Sequence, residues 1–151
     1  MSMLKPDTLP LGAPFAIGAA IFAALRVAPA LDGARVLDNP KRSSDLQDGE
    51  RIVFFEDQAD KLISQPGQSQ KRTYAFSVGA INRTENDRQG AHTDYRAAKR
   101  VIRSCMPEIV KLVQIEGRGV VEGDVLYRLE NIDVGGCLVL GLFTIDYRDP
   151  G

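Results

Sequence analysis

The chain has 151 residues, 44 % of them hydrophobic and 26 % charged, with a formal net charge of -1. That length fits one domain with a core large enough to fold without covalent staples. The charge balance gives no bulk attraction to nucleic acid or to acidic membranes, and one histidine with no tryptophan leaves little material for a His-based metal or acid–base site.

Residues 1–12 read as a proline-containing N-terminal arm without periodicity, and residues 13–151 as one domain. From Ala13 to Leu25 there is no charge, and Ala28–Ala30 resembles an A-x-A cleavage site. Asp7 offsets Lys5, and prolines stand at 6, 10 and 14, so a buried first helix is expected in preference to a secretory leader. The uncharged stretch is shorter than the roughly 20 residues a membrane span needs. Pro14 suits the first turn of a helix, and Pro29 stops it near Ala28. Phe15, Gly18, Phe22 and Leu25 share one stripe, with Ile17 and Ile21 beside it. A helix this apolar is buried on more than one side, and the second side points to another subunit.

Ala34–Leu37 is a short strand candidate leading into a polar loop over 38–49, and Ile52–Phe55 is the next strand. A long polar stretch follows from Glu56 to Arg72, read as a loop or as an extended hairpin. Thr73–Ile81 alternates clearly, with Tyr74, Phe76, Val78 and Ala80 on one face. After a polar turn over 82–90, a second helix is expected over His92–Met106. Its apolar stripe is Tyr95, Ala98, Ile102, Cys105 and Met106; Arg96, Lys99, Arg100 and Arg103 face away. Residues 109–121 look like short β pieces broken by Gly117 and Gly119. Val125–Ile132 and Cys137–Tyr147 read as a closing antiparallel pair. The expected fold is α+β: a mainly antiparallel β-sheet with two helices packed on one face and a long polar hairpin or loop excursion.

No reaction is displayed. His92 and Asp94 stand close to a helix start but lack a third partner, so surface or capping roles are expected. Glu56, Asp57 and Asp60 follow a strand, as metal-binding carboxylates do, yet share their loop with Lys61 and read as a solvated acidic edge. Cys105 and Cys137 read as reduced thiols. No phosphate-binding glycine motif occurs. The basic helix face is solvated, ion-paired across a subunit interface, or in contact with phosphates; no aromatic interleaves with it to stack bases.

This order of elements resembles the tail terminator proteins of long-tailed bacteriophages, the lambda-type terminator and related minor tail proteins among them. The parts that carry the resemblance are Pro14–Ala28, Ala34–Leu37, Ile52–Phe55, Thr73–Ile81, His92–Met106, Val125–Ile132 and Cys137–Tyr147. The resemblance implies a non-enzymatic phage or prophage virion protein. It would form a ring, usually a hexamer, that caps the tail tube, ends its polymerisation and offers the head its docking surface. The implied partners are other copies of the chain, the tail tube protein and a head completion or connector protein. Neither a membrane nor nucleic acid is expected as a partner. The implied location is the virion tail, and the host cytoplasm during assembly. No cofactor, metal or catalytic residue is expected. The candidate assembly interface is Phe15, Phe22, Asp57, Asp60, Lys61, Arg96, Arg100 and Arg103. The alternatives are a head–tail connector or neck completion protein, and a small nucleic-acid-binding module using helix 92–106.

Overall fold

The computed structural model describes residues 11–40, 50–65, 67–129 and 136–150. The expected arm, through residue 10, and the expected polar loop from residue 41 lie outside the described residues. The elements run α1 (Gly12–Val27), a 3-10 turn at Pro29–Leu31, β1 (Arg35–Asp38), β2 (Arg51–Ser64), β3 (Gln70–Asn82), α2 (Asp87–Ser104), α3 (Met106–Leu112), β4 (Gln114–Leu129) and β5 (Cys137–Asp149). The strands form one sheet in the order β1-β2-β3-β5-β4. β1 lies parallel to β2, and the other three pairings are antiparallel.

The sheet is mainly antiparallel with one parallel pairing, and the expectation of two helices packed on it is corrected to three α-helices among the described residues. The missed helix is α3. Pro107 ends nothing; it sits in the first turn of α3, where a missing N–H is harmless. Ile109 and Val113, four residues apart, both turn into the core, a helical spacing in a run too short to be told from β by pattern. Likewise α2 begins at Asp87, with that acid in its first turn, where the expected polar turn ran on to Gly90.

β3 and β5 pair without interruption from Gln70↔Asp149 to Asn82↔Cys137. Strand alternation puts Tyr74, Phe76, Val78 and Ala80 beside Val139, Phe143, Ile145 and Tyr147 under the helices. The Phe76 ring lies 5.3 Å from Phe55 and 5.5 Å from Phe143, which makes a row of stacked aromatics across three strands. On the other face Ile52, Phe54 and Ile81 form a smaller cluster with Leu37, Leu138 and Leu140. The Phe54 ring occupies the space a side chain at Gly79 would need.

α1 packs through Ile17, Gly18, Ile21 and Leu25. A Cβ on Gly18 would lie 3.1 Å from the Phe55 ring and 3.2 Å from the Tyr74 hydroxyl, so this glycine sets how closely α1 approaches the sheet. Ala28, held extended by the following proline, ends the helix. The polar stretch from Glu56 is β structure: β2 continues to Ser64 with irregularities near Gln58 and Ile63, and β3 starts at Gln70. Its tip exposes Leu62 and Ile63. β4 is one long edge strand with two register breaks; Gly117 and Gly119, at φ +66° and +82°, supply the backbone for the first.

Candidate functional site

The eight residues expected at an assembly interface divide between opposite edges of the sheet. Arg96, Arg100 and Arg103 follow one another at helical spacing along the exposed face of α2. That face runs beside β4 and bounds a groove of about 390 Å³, whose lining includes His92, Arg96, Arg100, Arg103, Glu122 and Tyr127. Glu122 is the floor. It accepts a hydrogen bond from Lys99 Nζ at 2.8 Å and another from the Tyr95 hydroxyl at 2.6 Å. Burial alone would raise the Glu122 carboxyl. The hydrogen bonds from Lys99 and Tyr95, with the charges of Lys99 and Arg103, outweigh it and hold the group below its ordinary value. Burial and the bond to Glu122 push the Tyr95 phenol up, so it stays a donor. Lys99 is thus neutralised by a partner. None of the ion pairs among the described residues takes in Arg96, Arg100 or Arg103, so the groove rim is left net positive.

Tyr127 of β4 is 65 % exposed and stacks on His92 of α2 with centroids 5.0 Å apart. No aromatic beside the basic face is legible in the residues of α2, because Tyr127 comes from another element. Alternation within 125–132 was the one available clue that some of its side chains point outward.

On the other side of the molecule, α1 meets the junction of β1 and β2. Phe15 is 56 % exposed there. It borders a small notch with Asp38, Asn39, Phe55 and Asp57. Asn39 adopts φ +46°, a left-handed turn that asparagine tolerates. Its backbone N–H donates to the Phe55 carbonyl at 2.7 Å, and its side-chain oxygen accepts the Asp57 N–H at 2.8 Å. Asp57 also accepts a hydrogen bond from the Tyr74 hydroxyl. Asp60 accepts from the Tyr147 hydroxyl at 2.9 Å and from Arg72 Nε at 3.0 Å. Burial, then the carboxylate each one meets, pushes the Tyr74 and Tyr147 phenols up. Both aspartates are therefore fixed in place by tyrosine donors from the sheet, while Lys61 is exposed further along β2. Phe22 is half-buried on α1, with the Arg26 guanidinium 5.8 Å from its ring centre. The apolar stripe of α1 is turned from the expected one: Phe15 and Phe22 flank the buried face instead of forming it.

His92 and Asp94 do not converge. Asp94 is buried under α2, where Arg51 of β2 donates to it twice, at 3.0 and 2.9 Å. The third arm of that guanidinium reaches the Asp32 carbonyl at 2.8 Å, so the pair ties α2, β2 and the turn after α1 together. The Asp94 hydrogen bond, opposed by burial, holds the Arg51 guanidinium above its ordinary value. Glu56 is bonded by Gln58, whose amide also donates to Ser77, apart from the tyrosine-held Asp57 and Asp60. Among the described residues no group of three or more His, Cys, Asp or Glu is arranged to hold a metal ion. Cys105 and Cys137 are both free thiols.

Chemically, the arrangement offers binding surfaces. One is basic, with an exposed tyrosine; the other is acidic, with an exposed phenylalanine. Three strand spacings, about 14 Å, separate β2 from β4. Among the described residues no helix is long and apolar enough to cross a membrane. Compared with protein-family models and with curated protein sequences, the chain matches none.

Proposed function

We propose that this protein is a ring-forming virion structural protein of the tail terminator kind. In this reading it acts by assembly: copies close into a ring, six by the resemblance, that caps the tail tube and presents the surface on which the head docks. The observation that carries the reading is the inequality of the two sheet edges. The β1–β2 edge bears Phe15, Asp38 and Asp57; the β4 edge bears Tyr127 and the α2 arginines. A subunit with two unlike contact surfaces can associate head to tail, and such contacts form a ring when the rotation between copies closes and an open filament when it does not. The order of elements, from an apolar first helix through a long β2–β3 hairpin to a closing strand pair, supports the same reading by its resemblance to that family.

Solution mass across a concentration series, followed by electron microscopy of the largest species, tests it. A ring-shaped particle of several subunits is the expected result. A two-fold dimer, or a monomer up to the solubility limit, refutes the reading.

A further inference from the structure

We infer that the acidic notch of one copy docks on the α2–β4 groove of the next. The inference rests on the ring reading and names the contact that builds it. Three observations lead to it. The first is charge: Asp38 and Asp57 stand exposed at one edge, and Arg96, Arg100 and Arg103 at the other, with none of these arginines in an ion pair among the described residues. Opposite patches of this kind steer encounter and fix register. The second is the aromatic beside each charge set. Phe15 borders the notch and Tyr127 borders the groove, both more than half exposed. Large aromatics next to charge are the usual anchors of an interface, and within the mostly polar groove Tyr127 and Val125 give Phe15 apolar surface to cover.

The third is symmetry. A two-fold contact through either patch would set aspartate against aspartate or arginine against arginine. A repeating head-to-tail contact satisfies both patches of every copy, and a closed two-fold pair that matched notch to groove twice would end there, so particle size tells the two apart. Both patches lie in the helix-covered layer, at opposite edges of one sheet, so one rotation can carry each notch to the next groove. Glu122 does not spoil the match, because Lys99 and Tyr95 already occupy it.

The test is a charge exchange on the full chain, read by sedimentation at low and at high salt. Asp38→Lys and Arg100→Glu each alter an exposed side chain and should leave the circular dichroism spectrum unchanged. Each alone should weaken association at least about tenfold, and the double variant should recover most of it, since the exchanged charges again face each other. High salt should weaken the wild type and leave the single variants little changed. Rings that persist in both single variants overturn this contact and leave the ring reading standing. A wild type that never associates overturns both. An Arg100→Glu variant that assembles normally but loses salt-dependent affinity for an oligothymidylate makes the groove a polyanion site, and overturns the contact as well.

Discussion

Replacing Arg51 with methionine isolates the buried ion pair, and its effect can be worked out beforehand. Asp94 has 6 % of its side chain exposed and Arg51 has 29 %, and the two share a bidentate contact at 2.9 and 3.0 Å. Such a pair contributes little compared with an apolar pair of the same volume, but half of it is a serious defect. Methionine keeps most of the aliphatic volume and leaves the carboxylate buried without its donors. The expected loss is about 3 kcal/mol, which lies at the low end for breaking a buried pair because Arg51 is partly solvated. For a domain near 150 residues this corresponds to a fall in Tm of roughly 6–12 °C. Changing both partners, Arg51→Met with Asp94→Leu, removes the stranded charge and should lose only about 1 kcal/mol. Urea unfolding followed by far-UV circular dichroism gives all four corners of the cycle. If the double variant loses as much as the two single variants added together, the pair is not coupled and the reasoning fails.

Three further outcomes are expected. The depressed Glu122 carboxyl keeps its charge to lower pH in the folded chain than in the unfolded one. Its contribution is thus complete above pH 4.5 and lost as pH falls through the lower folded value, so the stability gap between wild type and Glu122→Gln should narrow below that pH; a gap that stays constant in acid contradicts this. A Cβ at Gly141 would sit 2.6 Å from Tyr95 Cζ, so Gly141→Ala must displace the Tyr95 ring and its bond to Glu122. It should lower stability by about 1–3 kcal/mol in thermal unfolding, and Gly141→Ala with Tyr95→Leu should regain part of this. Burial pushes the Cys105 thiol up to about 11. Thiol titration of the native protein near pH 8 should therefore leave Cys105 unlabelled until denaturant is added, and rapid labelling of both cysteines would show that the α2–α3 junction opens.

What could be read from the residues depended on how locally each feature is encoded. The β3 alternation of Tyr74, Phe76, Val78 and Ala80 is a property of one segment, and those four side chains do lie under the helices. The charged half of β2 carries no apolar period, because Asp57 and Asp60 are held by tyrosines from β3 and β5. Its strand character is legible only from its partners. The parallel pairing of β1 leaves no local mark either; it depends on where the chain goes between Asp38 and Arg51. α3 is illegible for a different reason: Ile109 and, just past the end of this seven-residue helix, Val113 fit a helix turn and a strand about equally well. At the interface, residue types were readable and their grouping was not. Asp38, Glu122 and Tyr127 stand beside the expected residues only because sheet order brings distant segments together.

The sheet order also governs when the protein can finish folding. β5 is the last strand in sequence, yet it lies between β3 and β4. Until it has left the ribosome, β3 has one bare edge and β4 has no sheet to join. The core under the helices then lacks Val139, Phe143, Ile145 and Tyr147. A nascent chain in that state is exposed to pairing with its neighbours and to chaperone capture. It also holds no completed groove, because the groove needs β4 in place beside α2. Insertion of β5 is thus the step that joins β4 to the sheet and completes the groove beside α2.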